Sequence, residues 1–139
     1  MITDAQTRLS NQQALTSGTV VSTNSYDLGT ARDIGRGQPL RVIVTVDTAF
    51  AGGTNVTPSI IESANADLSS STVIGAGDAT AEAGLTAGAR IMDRVLPKTS
   101  KRYIGLQYAN SGTHTAGALS AHIVIDTDSN TQFAANTGL

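Results

Sequence analysis

The sequence contains no cysteine and no tryptophan, and only two phenylalanines and three tyrosines among its 139 residues. The absence of cysteine excludes a disulfide framework and thiolate metal sites. No apolar run approaches the ~18 residues that a membrane-spanning helix needs, so we expect no membrane partner. The first residues, Met1–Gln6, lack the basic and apolar regions of a secretory signal, and we expect no such signal.

Charged residues are also scarce. Asp, Glu, Lys and Arg make up 14% of the chain, against roughly 25% in an ordinary soluble domain. The formal net charge of −2 argues against nucleic acid as a partner, because general nucleic-acid binding needs a strong basic balance. Hydrophobic residues reach 40%, but many of them are alanine. We therefore expect one folded domain with a thin core, to which a partner surface would add stability.

Short apolar runs separated by Gly, Asn, Asp and Ser recur along the chain, which is typical of an all-β fold. Apolar and polar residues alternate most clearly in Leu40–Asp47, Arg102–Ala109 and Leu119–Asp126. Weaker candidates bring the total to about eight strands: Leu15–Thr23, Ser25–Gly29, Thr54–Glu62, Ser71–Gly75 and Ala89–Leu96. Because no helical segments separate these strands, the pattern predicts a jelly roll or another two-sheet antiparallel β-sandwich.

The domain organisation follows from the polar ends of the chain. Residues 1–14 are rich in Gln and Asn and predict an extended N-terminal arm. We expect residues 15–126 to form the jelly-roll domain and residues 127–139 to form a polar C-terminal tail.

Several smaller features within the domain can also be interpreted. The presence of Pro58 within a predicted strand indicates that this strand lies at a sheet edge, where the missing N–H of proline costs little. The glycines of Ala51–Gly53 and Asn110–Gly112 predict turns, and residues 76–88 predict a loop.

Residue patterns that carry chemistry are few. His114 and His122 are the only histidines, and without a carboxylate at a recognisable spacing we expect both on the surface. Asp126–Asn130 imitates the start of a calcium loop, but Thr131 and Thr137 stand where such a loop needs Gly and Glu. No catalytic signature is present. We expect no catalytic residues, no metal, no cofactor and no enzymatic activity.

A homotrimeric dUTPase is similar in length and is also all-β, but this chain lacks that family's Gly-Arg-Ser-Ser, Gly-x-Ile-Asp and Gly-Phe-Gly-Ser motifs. A nucleotide-turnover assay would test whether the protein is a hydrolase of this kind.

Five basic residues lie within the thirteen positions from Arg90 to Arg102. They are either solvated turn charges paired with nearby acids or a contact patch for an acidic partner, and the sequence leaves both open.

The run Tyr26–Leu40 contains Asp-Leu-Gly, then Ala-Arg-Asp-Ile-Gly, then Gly-x-Pro-Leu. This run resembles the jelly-roll capsid cement, or decoration, proteins of short-tailed bacteriophages. The similarity continues through Val42–Val46 and around Arg102–Ile125, and it covers about residues 1–126. The tail extends past the usual end of that family.

The resemblance implies a structural protein of the virion rather than an enzyme. Such a protein binds the outer surface of the capsid head and clamps neighbouring subunits of the major capsid protein. The resemblance also implies a homo-oligomer, with a dimer favoured over a trimer.

Three arginines are candidate capsid contacts. We expect the arm to lie on the capsid, because an extended polar segment gains order on another surface, and Arg8 would then pair with an acidic capsid residue. For Arg32 and Arg36, stabilisation of their own turn and a capsid contact are equal alternatives.

The competing function is a carbohydrate-binding or adhesion β-sandwich on the virion or cell surface. Sugar platforms usually present exposed aromatic rings, which are scarce here, and a glycan array would discriminate.

Overall fold

The computed structural model describes residues 3–35, 37 and 39–125. These residues form eight β-strands and one short 3₁₀-helix, with no α-helix in the described ranges. The strands are β1 (Arg8–Ala14), β2 (Gly18–Val21), β3 (Tyr26–Asp27), β4 (Arg41–Ser63), β5 (Thr72–Ala76), β6 (Thr80–Ala81), β7 (Arg90–Val95) and β8 (Tyr103–Val124), and the 3₁₀-helix is Glu82–Gly84. The predicted all-β fold of about eight antiparallel strands is confirmed. Within the described residues, no helix has the length and apolar character to span a membrane.

The two longest strands, β4 and β8, organise the fold. They pair antiparallel along almost their whole length, from Arg41 opposite Val124 to Ser63 opposite Tyr103. All eight strands belong to one sheet in the order β1-β8-β4-β5, with β2 and β3 added to β8 and β6 and β7 added to β4. The β4–β8 register shifts four times between Val46 and Asn55. Such bulges bend a strand pair, so the ladder divides into two halves.

Both halves of the single sheet contribute side chains to one core, an arrangement consistent with a β-sandwich. One half contains β1 and β7, and the other contains β2, β3, β5 and β6. The side chains of both halves of β4 and β8 belong to a single apolar cluster, which includes Val42, Val44, Val46, Val56, Ile60, Ile104, Leu106, Tyr108, Leu119, Ala121 and Ile123. Burial of this cluster is the main favourable contribution to folding.

The predicted N-terminal arm is corrected in part, because Arg8–Ala14 forms strand β1 and pairs with β8. Leu9 and Ser10 are fully buried. Two register shifts interrupt the pairing of β1, and Gln12 adopts a positive φ of 46°. These irregularities break the alternation of apolar and polar residues by which a strand is recognised in a sequence. For this reason the sequence of β1 predicts an irregular polar segment and not a strand.

The strand that contains Pro58 is central rather than at an edge. Pro58 belongs to β4 and lies opposite Tyr108 of β8. On the other side, β5 pairs with β4 from Ser59 onward and β6 pairs only with Asn55 and Val56. Pro58 therefore occupies a gap between β5 and β6, where its missing N–H breaks no pairing with either strand.

The two predicted turns lie inside long strands. Gly53 of β4 faces Gly112 of β8, and Gly52 and Gly112 have φ values of 86° and 78°. Glycine at positive φ supports a bulge as readily as a turn, so the chain bends here without reversing. The predicted loop at residues 76–88 holds β6 and the 3₁₀-helix. The predicted tail at 127–139 and the calcium-like run Asp126–Asn130 lie outside the described residues.

Candidate functional site

An apolar cavity of about 290 Å³ lies where β4 begins and β8 ends. We call it the end cavity. Its lining residues are Thr7, Tyr26, Leu28, Arg32, Ile34, Leu40, Ile123, Val124 and Ile125. Leu28 and Ile123 are buried, whereas Ile125 exposes 65% of its surface. Concave apolar sites with a few polar groups at the rim are the usual places where ligands or partner side chains bind.

The segment between β3 and β4 forms one wall of this cavity. It supplies four of the nine lining residues, and Tyr26 of β3 adds a fifth. All five lie in the run Tyr26–Leu40 that carries the resemblance to cement proteins. Asp27 and Asp33 each accept a hydrogen bond from a glycine N–H two residues later, at 2.7 and 2.9 Å. Such local bonds fix tight turns, so this wall has a defined shape although it contains no strand.

Bonds to the segment before β8 hold the same wall in place. Thr99 Oγ1 donates to the Arg32 carbonyl at 2.7 Å and accepts from the Ile34 N–H at 3.0 Å. Arg102 binds both carboxylate oxygens of Asp27, at 2.7 and 2.8 Å. The hydrogen bond from Arg102 is the largest cause that lowers the pKa of Asp27, to about 2. Asp27 therefore remains ionised and paired at any pH near neutrality.

The structure places the predicted contact arginines in different settings. Arg8 is half-buried on β1 opposite His122, and its buried Nε has no hydrogen-bond partner in the described part of the chain. Arg32 is exposed and lines the end cavity. No described acidic side chain pairs with the guanidinium of Arg8 or Arg32. Arg36 lies outside the described residues, so its proposed contact stays a prediction.

Arg8 belongs to a small polar cluster on the outer face of the sheet. The buried Nδ1 of the neighbouring His122 also has no partner among the described residues. Burial is the largest cause that lowers the pKa of His122, the charge of Arg8 lowers it further, and Asp47 partly opposes them. Asp47 in turn accepts a hydrogen bond from the Ser120 hydroxyl at 2.6 Å. This leaves a cation beside a largely neutral imidazole, an arrangement that can accept a carboxylate from another molecule.

The basic cluster between Arg90 and Arg102 is mostly neutralised within the chain. Arg90 pairs with Asp93 at 3.3 Å and Arg94 pairs with Asp78 at 2.8 Å. Arg102 pairs with Asp27, as described above. Because its three arginines already have acidic partners, the cluster matches the interpretation of paired turn charges better than that of a contact patch.

The expectation of a surface position for His114 is wrong. His114 is 2% exposed, and its ring meets Phe50 edge-on, with centroids 5.0 Å apart and an interplanar angle of 82°. A Cβ at Gly53 would overlap the imidazole. Neither ring nitrogen has a described hydrogen-bond partner. Across residues 3–35, 37 and 39–125, no group of three or more His, Asp or Glu side chains is placed to hold a metal ion.

Sequence reasoning did not identify the end cavity. Its walls come from Thr7, from the segment before β4 and from the end of β8, which are far apart along the chain. Ile125, which follows the last strand, is exposed in the structure, but single exposed aliphatic residues are common on protein surfaces. No local sequence pattern therefore indicates the cavity.

Comparison with known protein families finds a match over most of the chain. The sequence model described as Bbp16 matches residues 9–123, which is most of the chain. The match includes nearly all of the strand residues and the run Tyr26–Leu40. No curated protein matches the chain.

Proposed function

The chain belongs to the Bbp16 family, and we propose that it is a structural capsid cement protein. In this proposal the protein binds the outer surface of a bacteriophage head and clamps neighbouring subunits of the major capsid protein. It acts without a catalytic step, metal or cofactor, and as a homo-oligomer, most simply a dimer.

The observation that carries the proposal is the state of Arg8. Four other arginines of the described chain are paired with aspartates, namely Arg41, Arg90, Arg94 and Arg102. Arg8 instead stands on the outer face of the sheet without an acidic partner among the described residues. Arginine is enriched at protein interfaces because its planar guanidinium binds carboxylates through two parallel bonds. An acidic residue of a capsid subunit would supply the missing partner.

The position of the run Tyr26–Leu40 gives separate support. A resemblance confined to core positions would reflect generic β-strand packing. This run lies mainly between strands, forms the wall of the end cavity and includes exposed residues such as Arg32. Sequence that is specific to a loop at the surface points to a binding role more than to packing.

The carbohydrate-binding alternative finds no support in the described aromatic rings. Phe50 and Tyr108 are buried, and Tyr26 and Tyr103 are half-buried. Sugar recognition uses aromatic faces that are open to solvent, and none of the described rings is fully exposed.

Light scattering coupled to size exclusion tests the proposal with expanded heads that lack the protein. We expect the wild-type protein to co-elute with the heads at a saturating stoichiometry. Arg8→Gln should bind with lower occupancy, whereas the matched control Arg94→Gln, which also removes one positive charge, should bind as the wild type does. A wild-type protein that does not associate with heads would overturn the proposal.

A further inference from the structure

The lining of the end cavity defines the chemistry of a ligand that fits it. Most of its nine described lining residues are aliphatic, namely Leu28, Ile34, Leu40, Ile123, Val124 and Ile125. None of the nine is acidic. A cationic group that entered the cavity would therefore lose its hydration without gaining a partner from these residues. The lining favours a ligand with an aliphatic body.

The volume of the cavity limits the size of that ligand. It is about 290 Å³, roughly twice the ~150 Å³ of an apolar cavity that binds benzene. By that ratio the cavity takes about ten to twelve non-hydrogen atoms, which is the size of an alkyl chain of about eight carbons with a small polar head. Ile125 lines the cavity and exposes 65% of its surface, so a bound alkyl chain would also remove apolar surface from water.

Two polar side chains of the lining are unpartnered hydrogen-bond donors. Arg32 is exposed, and no described acidic side chain pairs with it. Tyr26 is half-buried, and its hydroxyl has no hydrogen-bond partner among the described residues. The third polar lining residue, Thr7, already donates its hydroxyl to the Asp4 carbonyl at 3.2 Å. A guanidinium and a phenol O–H both bind a carboxylate through charge-assisted hydrogen bonds.

The carboxylates that adjoin the cavity wall are engaged elsewhere, and they set the charge of the ligand. Asp27 holds both of its carboxylate oxygens on Arg102. Asp33, next to Arg32 in the chain, accepts hydrogen bonds from two backbone N–H groups at 2.9 and 3.2 Å. Arg32 therefore offers one positive charge to a ligand, which a monoanion matches. A second negative charge on the ligand would stand unpaired close to Asp33.

We propose that the end cavity binds a medium-chain monocarboxylate of the fatty-acid type. Its alkyl chain lies against the aliphatic lining, and its carboxylate binds Arg32 and the Tyr26 hydroxyl. The observation behind the proposal is an apolar cavity of this volume whose lining includes two unpartnered donors and no acid. In this assignment Arg32 binds a ligand and is not a capsid contact. The site lies within a single chain, so the proposal stands or falls apart from the cement function.

Calorimetric titration of the full chain with octanoate tests the proposal. We expect saturable binding of octanoate, and octanol, which has the same chain and no charge, should bind at least about tenfold more weakly. Arg32→Gln should weaken octanoate binding by about tenfold or more and leave octanol binding unchanged. The matched control is Arg94→Gln, which also removes one positive charge but lies in a pair with Asp78. This control should bind both ligands as the wild type does.

Methyl NMR locates the ligand. Octanoate should shift the methyl resonances of Leu28, Leu40 and Ile123, while Leu119, which is fully buried in the core and does not line the cavity, keeps its position. Ile34→Phe adds a ring to the half-buried wall and should abolish the binding of octanoate and octanol alike. An unchanged Leu119 signal in Ile34→Phe checks that the variant keeps its fold, and the exposed substitution Arg32→Gln tests the site without altering the core.

Four results would overturn the proposal. The first is no saturable octanoate binding by the wild type, which would show that the cavity does not admit an alkyl chain. The second is an equal affinity for octanoate and octanol, or an octanoate affinity that Arg32→Gln leaves unchanged. The third is bound octanoate that leaves the cavity methyls unshifted. The fourth is octanoate binding that weakens as the protein concentration rises, which would show that a second copy of the chain occupies the cavity.

Discussion

The hydroxyl oxygens of Ser10 and Tyr108 lie 2.7 Å apart in the core, although 98 positions separate the two residues in the sequence. Both side chains are fully buried. Ser10 also donates to Gln13 Oε1 at 2.8 Å, so the Tyr108 hydroxyl donates to Ser10. Gln13 in turn donates to the Val21 carbonyl at 2.8 Å. This chain of bonds connects β1, in one half of the sheet, to β2 and to Tyr108 of β8 in the other half, and it satisfies polar groups that burial would otherwise penalise.

Replacing Tyr108 by Phe should lower the free energy of unfolding by about 1–2 kcal/mol, because Ser10 loses its buried donor. The matched control is Tyr103→Phe, since no hydrogen bond involves the Tyr103 hydroxyl among the described residues and its ring keeps the cation–π contact with Arg102 at 5.1 Å. Urea unfolding of both variants measures the difference. Equal free energies of unfolding for Tyr108→Phe and Tyr103→Phe would contradict this prediction, since they would show that water replaces the hydrogen-bond donor of Ser10 at no cost.

Tyr108 should also limit stability at high pH. Burial is the largest cause that raises its pKa, and the hydrogen bond with Ser10 only partly offsets it. In the unfolded chain the same phenol ionises near pH 10. The stability that comes from the neutral phenol is therefore complete below pH 10 and is lost as the pH rises toward the folded-state pKa. We expect wild type to lose more stability between pH 9 and 11 than Tyr108→Phe does, as followed by urea unfolding at each pH.

Leu9 tests whether β1 is part of the core. Leu9→Ala should lower the free energy of unfolding by about 2–5 kcal/mol, because the side chain is fully buried and its loss leaves a cavity. Asn11→Ala, two residues away and exposed, should stay within about 0.5 kcal/mol of wild type. Thermal unfolding of Leu9→Ala and Asn11→Ala measures both stabilities and shows whether β1 is part of the core. Two small effects would mean that β1 detaches readily and acts as the predicted arm.

Deleting residues 1–14 would accordingly unfold part of the core as well as remove any capsid contact. Point substitution of Arg8 is the better probe of attachment, because Arg8 is only half-buried whereas Leu9 and Ser10 are fully buried.

The sequence was informative where its pattern is local. The alternation in Leu40–Asp47 and in Leu119–Asp126 predicts two strands, and Arg41–Asp47 and Leu119–Val124 do lie in the long strands β4 and β8. The pattern does not show that each segment continues past its glycines, because positive φ is compatible with both a turn and a bulge. The end cavity was not predictable for another reason. Its lining residues, from Thr7 to Ile125 along the chain, come together only after the sheet has formed.

Glu62 offers a test at acidic pH. Its side chain is 5% exposed and accepts bonds from the Ser100 N–H and hydroxyl, both at 2.7 Å, and from the Lys101 N–H at 3.1 Å. Burial alone would raise the pKa of Glu62, but these hydrogen bonds outweigh it and lower the pKa below its usual value. The carboxylate thereby fixes the segment that leads into β8.

Glu62→Gln should cost about 1–3 kcal/mol at pH 7, because a charged acceptor of three bonds is replaced by a neutral amide. A lowered folded-state pKa adds stability above the unfolded value of about 4.3, and this part is lost as the pH falls through the folded pKa. The difference between wild type and Glu62→Gln should therefore shrink below pH 4 in urea unfolding. Glu82→Gln is the control, since the 3₁₀-helix places no hydrogen-bond donor on that carboxylate in the described structure, and it should show no such trend.

Gly53 and His114 form a tight contact at the bend of β4 and β8, where a Cβ on Gly53 would overlap the imidazole. Gly53→Ala should lower the free energy of unfolding by about 1–3 kcal/mol through overpacking. Gly84→Ala is the control, because its Cβ would meet only the Thr80 methyl group at 3.1 Å and should be nearly neutral. In a His114→Ala background the added methyl has room, so the cost of Gly53→Ala should fall toward zero. A double-mutant cycle measured by urea unfolding gives this coupling, and additive effects would show that the strain in Gly53→Ala arises from the backbone of the bend and not from the buried ring.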